Sequence, residues 1–276
     1  MRAGWTVVAC AFAVAGCGGS SNAAPGGVVV VPAPASPVTT SPAPPVATTP
    51  ATPPIAAPQA LACTVQDTVR RAASLVIRPV KGNVAVVAIG SSSTAGAYAS
   101  SPAATYPAVL QQILSTYPEI AAYAVTNKGL SGDTLPGTQG RLQRDALDLH
   151  PQLVILQAGT NDAVTAQSAT SLSDYTARLR TVVATLKGQT AVLLMNSQHY
   201  ASEPAGYAAY LDAMETVARE QNVALFDRYA LTKSWIDSGK YSYADMLASD
   251  GFHPNDMTYR CMAQVVAQAT VSATVR

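Results

Sequence analysis

Five short apolar runs, each followed by a helical pattern, constrain the fold of this chain more than any other feature. The clearest run, 84–89, consists of six apolar residues and ends at Gly90, as in a strand that is buried on both faces of a sheet. The other runs lie at 122–126, 153–157, 191–196 and 223–227. Strands that alternate with helices form a parallel sheet with helices on both sides. We therefore expect a three-layer α/β/α sandwich with a five-stranded parallel sheet, flavodoxin-like in topology.

The helices are predicted from apolar residues that recur at intervals of three and four. A leading helix is expected at 65–77, where Val65, Val69, Ala72 and Val76 share one face. Further helices are expected at 106–115, 138–149, 172–186, 207–220 and 257–272, with short helical pieces around 231–236. In such sheets, sites form at the loops that leave the carboxyl ends of the strands. These loops are where we look for chemistry.

Residues 1–60 differ too much in composition to belong to this domain. Arg2 is their single charged residue, and they hold eleven of the nineteen prolines. Proline lacks a backbone N–H, so the stretch 18–60 is predicted to be a semi-extended tether without a core. The folded domain is then expected at 61–276, where 16 basic and 16 acidic residues balance. A neutral domain without a basic run excludes electrostatic recognition of nucleic acid, and it lacks the polybasic stripe of a membrane-surface binder.

The first 17 residues are interpreted as an export signal. An apolar stretch at 5–15 is too short to span a bilayer but suits the h-region of a signal peptide. The following Val-Ala-Gly-Cys, which ends at Cys17, resembles the bacterial lipobox, in which the cysteine carries a lipid. This predicts a domain anchored to the cell envelope through the lipid on Cys17, either periplasmic or at the cell surface. An ordinary secretory peptide with an incidental cysteine is the alternative.

Two further cysteines agree with export. Cys63 and Cys261 lie at opposite ends of the predicted domain. In an oxidising compartment two such thiols are candidates for a disulfide that ties the first helix to the last. Two separately buried thiols are the alternative, because sequence does not give the distance between them.

Polar residues follow the first three predicted strands. Ser92 stands in a glycine-serine turn, which places a hydroxyl above the sheet or caps the next helix. Gly132 stands in Ser-Gly-Asp-Thr, where a glycine lets its amide approach a ligand or forms a plain turn. Asn161 stands in Gly-Thr-Asn-Asp, where its side chain can donate to a developing oxyanion or cap the next segment.

The loop before the last predicted helix carries a carboxylate and a histidine. Asp250 precedes His253 by three residues, so it can orient the ring and stabilise its charged form while the histidine acts as general base for a serine. Of the other two histidines, His150 stands at a helix end and is interpreted as structural. His199 follows the fourth strand without a comparable acid beside it in the sequence.

Together, in this order, the four motifs resemble the blocks of SGNH hydrolases, the GDSL-like esterase/lipase family named for its Ser, Gly, Asn and His. The resemblance covers about 84–275. It implies that Ser92 is the nucleophile, that His253 is its general base and that Asp250 orients His253. It also implies that the Ser92 amide, Gly132 and Asn161 are the oxyanion donors. One departure is Ser91, which stands where the family has aspartate in Gly-Asp-Ser. Ser91 and Ser93 therefore stay open as competing nucleophiles.

The resemblance implies a serine esterase that hydrolyses acyl or acetyl esters through an acyl-enzyme, without a metal or organic cofactor. Cell-envelope glycans or lipids are the expected substrates. Residues 196–200 and the flank of the first motif through Tyr98 are expected either to line the pocket or to pack loops. Two alternatives are a carbohydrate O-acyltransferase of the same fold and a non-catalytic envelope-binding lipoprotein that has kept the fold.

Overall fold

The computed structural model describes residues 63, 68–164 and 171–275, which lie within one compact unit of the chain, 56–276. The predicted signal segment, Cys17 and the tether at 18–60 lie outside the described residues. In the part of the chain that is described, no helix combines the length and the apolar character needed to cross a bilayer.

A six-stranded sheet forms the centre of the domain. Five strands are mutually parallel: β2 (Asn83–Gly90), β3 (Ala122–Gly129), β4 (Leu153–Gln157), β5 (Ala191–Met195) and β6 (Ala224–Phe226). Their spatial order is β3-β2-β4-β5-β6, which is the flavodoxin-like order. The predicted topology is therefore confirmed, and all five predicted strands are present.

A short sixth strand, β1 (Val69–Arg70), corrects the prediction of a purely parallel sheet and of a leading helix at 65–77. β1 pairs antiparallel with the edge of β6, with Val69 opposite Phe226. A single 3-10 turn, Ala72–Ser74, follows it, so no α-helix forms over the described residues 68–77. Pairing with the open edge of β6 is a tertiary interaction, which the spacing of apolar residues along the chain does not report. This pairing determines the local structure in place of the helix that the spacing predicts.

Helices cover both faces of the sheet, which confirms the three layers. The described residues form α1 (Ser92–Ala95), α2 (Tyr106–Leu114), α3 (Leu135–Asp145), α4 (Thr160–Val164), α5 (Leu172–Lys187), α6 (Tyr207–Glu220), α7 (Arg228–Asp237), α8 (Tyr243–Met246) and α9 (Asp256–Ala273). Alternate residues of β2 serve two cores. Val86 packs in a core with residues of α2, α7 and α9, whereas Val87 packs in a core with residues of α3, α5 and α6.

A disulfide joins Cys63 to Cys261 on α9, with the two Cα atoms 5.4 Å apart. The predicted bridge is confirmed, although it does not start from a helix. It closes a loop of 198 residues. In the chain-entropy model, a loop of this length corresponds to about 5 kcal/mol of stabilisation, because cross-linking restricts the unfolded chain.

The sheet order brings the predicted site loops together. β2 lies between β3 and β4 in the sheet. The carboxyl end of β2 leads to Ser92, that of β3 to Gly132 and that of β4 to Asn161. The strand order reverses between β2 and β4, which is the position where open α/β sheets form a crevice for ligands.

Candidate active site

A hydrogen-bonded chain of three side chains crosses this edge of the sheet. Ser92 Oγ lies 2.9 Å from His253 Nε2, although the two residues are 161 positions apart in the sequence. On the other side of the ring, His253 Nδ1 lies 2.5 Å from Asp250 Oδ2. A hydroxyl, an imidazole and a carboxylate are thus linked by hydrogen bonds, as the predicted roles of nucleophile, base and orienting acid require; these roles stay predictions.

The Asp250 carboxylate is held by the backbone as well as by the ring. Its Oδ1 accepts hydrogen bonds from the backbone N–H groups of Phe252 and His253, each at 3.0 Å. Burial acts to raise the pKa of Asp250, but the hydrogen bonds from the His253 ring and from these two N–H groups outweigh it and lower the pKa. Asp250 is therefore ionised at neutral pH. An ionised carboxylate accepts a hydrogen bond from the Nδ1–H group, and in that tautomer Nε2 is free to accept a hydrogen bond from the Ser92 hydroxyl.

The turn that carries Ser92 is fixed by Gln157, the last residue of β4. Gln157 Oε1 accepts hydrogen bonds from Ser91 N at 2.8 Å, from Ser91 Oγ at 3.0 Å and from Thr94 Oγ1 at 3.2 Å. A Cβ added to Gly90 would lie 2.7 Å from the same oxygen, so a side chain at Gly90 would displace it. The hydroxyl of Ser91 is directed to Gln157, whereas that of Ser92 contacts His253.

A second buried group, Arg141 of α3, ties the ends of β2 and β3. Its guanidinium donates to the carbonyl of Gly90 at 2.9 Å, to the carbonyl of Lys128 at 2.7 Å and to Asp133 Oδ2 at 2.8 Å. The side chains of Arg141 and Asp133 are 9% and 5% exposed, so this ion pair is shielded from solvent. Sequence reasoning missed Arg141 and Gln157. The available signals were weak: a polar residue that ends an apolar strand, and a basic residue in a helix.

The loop of Gly132 lies against Asn161. Asn161 Nδ2 donates to the carbonyl of Asp133 at 2.7 Å. Gly132 has φ +79°, and a Cβ there would meet nothing within 4 Å, so the demand for glycine is conformational rather than steric. The next residue, Asp162, accepts from the backbone N–H of Leu135; burial raises its pKa, and these backbone hydrogen bonds oppose the rise. The oxyanion roles of Ser92, Gly132 and Asn161 stay predictions.

Tyr98 stands in an unusual conformation beside the histidine. Its ring stacks on the His253 ring, with centroids 5.1 Å apart and planes 21° apart. Tyr98 is 55% exposed, and its φ of +63° lies in the left-handed region. For a residue other than glycine, such a conformation costs on the order of 1–3 kcal/mol and persists where neighbouring contacts impose it.

In the structure His199 has an acid partner, although the sequence places no acid beside it at the spacing of Asp250 and His253. Its Nδ1 lies 2.5 Å from Oε1 of Glu203, four residues later, and its Nε2 lies 2.9 Å from the hydroxyl of Tyr243. Both ring nitrogens are therefore engaged away from Ser92. The His199 loop instead contacts the loop of Asp250 and His253, because the neighbouring Gln198 donates to the Phe252 carbonyl at 3.0 Å.

Two largely exposed side chains lie near Ser92, which is itself 6% exposed. Tyr98, which stacks on His253, is 55% exposed, and Leu130, whose backbone N–H donates to the Gly90 carbonyl, is 53% exposed. A cavity of about 410 Å³ lies at the other end of the strands, near the starts of β4 and β5. The residues that line it include Gln152 and Ala191 but not Ser92, His253 or Asp250. Within the described residues, no group of three or more His, Cys, Asp or Glu side chains is arranged to hold a metal ion.

Comparison with protein-family models shows to which family the chain belongs. A model of the Non-GDSL lipase-like family matches residues 56–276. The chain belongs to this family. Ser91, in place of the aspartate of Gly-Asp-Ser, is in keeping with the name Non-GDSL. No protein with a curated description matches the sequence.

Solved structures agree with this membership of the Non-GDSL lipase-like family. LAE5, an alpha/beta hydrolase enzyme from the metagenome of Lake Arreo in Spain, superposes with a TM-score of 0.60 at 23% identity, covering 70% of this chain and 97% of LAE5. A variant of Axe2, an acetyl-xylooligosaccharide esterase from Geobacillus, superposes with a TM-score of 0.57 at 25% identity, covering 67% of this chain and 93% of Axe2. The predicted fold is confirmed, and so is the prediction of a hydrolase that acts on ester bonds.

Proposed function

We propose that this Non-GDSL lipase-like protein is a serine esterase that removes short acyl groups, in particular acetyl, from carbohydrate hydroxyls. The observation that carries the proposal is the hydrogen-bonded chain from Ser92 through His253 to Asp250. A serine hydroxyl that shares a hydrogen bond with a carboxylate-oriented histidine has the parts that acyl transfer to water requires.

In this mechanism Ser92 Oγ attacks the ester carbonyl while its proton passes to His253 Nε2. Asp250 stabilises the charged ring. The negative charge that develops on the carbonyl oxygen is stabilised by the Ser92 amide, the Gly132 amide and the Asn161 side chain; one such donor contributes on the order of 3 kcal/mol of transition-state stabilisation. The ester C–O bond then breaks, and the alcohol leaves with the proton from His253. Water repeats the sequence and releases the acid, which regenerates Ser92.

Two observations support a carbohydrate ester over a long-chain lipid. The exposed side chains of Tyr98 and Leu130 lie near the triad, where they can contact a polymeric substrate. In addition, Axe2 is an esterase of acetylated xylo-oligosaccharides, and three of its structures are catalytic mutants in which a serine, an aspartate or a histidine is replaced by alanine. The aspartate of Axe2 precedes its histidine by three positions, the spacing of Asp250 and His253.

The proposal includes export and anchoring. The lipobox-like sequence that ends at Cys17 and the proline-rich stretch at 18–60 support a lipid anchor with a tether, and the disulfide between Cys63 and Cys261 suits an oxidising compartment. Metabolic labelling with a fatty acid should mark the wild type and leave Cys17→Ala unmarked. Label retained in Cys17→Ala would refute anchoring at Cys17.

The esterase proposal is tested with the purified protein and its Ser92→Ala variant. We expect turnover of p-nitrophenyl acetate well above that of the palmitate ester, release of acetate from acetylated xylan, and no turnover by Ser92→Ala. A fluorophosphonate should label Ser92, as located by mass spectrometry; label on Ser91 or Ser93 would reassign the nucleophile. Product analysis with added sugar acceptors separates a hydrolase from an acyltransferase. A folded wild type with neither activity would favour the non-catalytic binding lipoprotein.

A further inference from the structure

Tyr98 combines three properties that a loop residue rarely has at once. It is aromatic and largely exposed, it occupies a left-handed backbone conformation, and it stacks directly on the histidine of the triad. Exposing an apolar ring and straining its backbone are both unfavourable for folding. A local cost at such a position points to a role in function.

Hydrogen bonds from α9 fix the Tyr98 loop on both sides. Before Tyr98, the carbonyl of Ala97 accepts from the hydroxyl of Tyr259 at 2.7 Å. After it, the backbone N–H of Ser100 donates to Asp256 Oδ1 at 2.9 Å, and the Ser100 hydroxyl donates to the same carboxylate. The ring of Tyr98 is therefore held in place before any ligand arrives, which reduces the entropy lost on binding.

The stacked histidine identifies which part of the substrate reaches Tyr98. His253 returns the proton of Ser92 to the leaving oxygen, so the alcohol portion of the ester must lie against His253 Nε2. The oxyanion donors proposed above, Gly132 and Asn161, follow β3 and β4, whereas Tyr98 follows α1 and packs on the ring of His253. Tyr98 therefore adjoins the alcohol rather than the acyl group.

We propose that Tyr98 is a binding platform for the leaving alcohol and that this alcohol is a pyranose of an acetylated glycan. His253 stacks on the Tyr98 ring, and Tyr98 is 55% exposed in spite of this contact. A pyranose has an apolar C–H face of similar width and hydroxyls around its rim, so it can cover the exposed part of the ring without burying unpaired polar groups. The inference rests on the esterase function proposed above and assigns the residue that selects the sugar.

The test compares two esters that share an acetyl group and differ in the alcohol, acetylated xylotriose and ethyl acetate. We expect Tyr98→Asn to lower the ratio of kcat/KM for the sugar ester to kcat/KM for ethyl acetate about tenfold, which corresponds to about 1.4 kcal/mol. Asparagine tolerates the left-handed conformation, so the loop keeps its path. Tyr98→Phe, which keeps the ring, should retain the wild-type ratio. Tyr117→Asn, an exposed tyrosine just before the amino end of β3, is the matched control.

Binding without turnover gives a second readout. In the Ser92→Ala background, calorimetry should show about tenfold weaker binding of acetylated xylotriose when Tyr98→Asn is added. A fall of both kcat/KM values by the same factor, which leaves their ratio unchanged, would mean that Tyr98 acts only through His253 and would overturn the platform. Wild-type values for both esters would overturn it as well. By contrast, a wild type that hydrolyses neither ester would refute the esterase function itself.

Discussion

Gln157→Leu should uncouple the nucleophile turn from the sheet. Gln157 is 1% exposed, and its oxygen accepts from one backbone N–H and two hydroxyls of the Ser91–Thr94 turn. A buried N–H left without a partner costs about 1–3 kcal/mol, and each lost hydroxyl bond about 0.5–1.5 kcal/mol. Because the hydroxyls can rotate toward other acceptors, we expect a total near 3 kcal/mol, most of it from Ser91 N.

The same substitution should affect catalysis through position rather than through chemistry. If Ser92 Oγ moves by about 1 Å, kcat falls about 100-fold, whereas KM changes little because Gln157 does not contact substrate. Urea unfolding should show a midpoint about 1 M lower, given an m-value of about 3 kcal/mol/M. Gln143→Leu, at an exposed glutamine of α3, is the matched control and should change neither quantity. Wild-type kcat in a destabilised Gln157→Leu would show that Gln157 supports only the fold, and an unshifted midpoint would refute the energetic reasoning.

Three further predictions concern the triad, the turn and the disulfide. Asp250→Asn should lower kcat on the order of 10⁴-fold, because an amide favours the wrong tautomer of His253; a loss below tenfold in esterase assays would contradict this. The pKa of Asp250 is lower in the folded protein than in the unfolded chain, where it is near 4. The ionised carboxylate therefore stabilises the fold above the unfolded pKa, and this contribution is lost as the pH falls through the folded pKa. In acid titrations, the free energy of unfolding should consequently depend less on pH in Asp250→Asn than in the wild type. Ser91→Asp, which restores the Gly-Asp-Ser of the GDSL-like family, should reduce activity, because a carboxylate would face the Gln157 oxygen; full activity in the same esterase assay would argue against that clash. Replacement of Cys63 and Cys261 by serine should lower the free energy of unfolding by about 2–5 kcal/mol, as measured in urea, and an unchanged value would mean that the bridge does not restrict the unfolded chain.

The parallel sheet and the side chains of Ser92, His253 and Asp250 could be predicted because each is marked by a short, continuous sequence motif. An apolar run such as 84–89 is long enough to define a buried strand, and the motifs around Ser92 and His253 are compact in sequence. Once the strands are parallel, topology brings their exit loops to one edge. The strand order therefore brings together the loops of Ser92, Gly132 and Asn161, whereas His253, which lies in the loop before α9, is assigned to the site from the resemblance of its motif.

The remaining features depend on contacts that no local pattern contains. β1 exists because the edge of β6 is open, so the spacing of apolar residues in 65–77 misled. Gln157 differs from any polar residue at a strand end only through its partners. His199 and Glu203 stand four residues apart in a segment that is not helical, where that spacing does not imply a contact.

The disulfide also determines how mechanical load enters the domain. A pull on the amino-terminal side of Cys63 passes through the sulfur atoms to Cys261, in the second turn of the eighteen-residue helix α9. This helix is packed against α2 and also anchors the Tyr98 loop, so tension is shared by a large buried interface. If the bridge were reduced, the same force would act first on β1, whose two residues could be peeled from the sheet one hydrogen bond at a time. If the chain is anchored through its amino-terminal segment, as proposed, the bridge makes α9, and not the two-residue strand β1, the element that bears the strain.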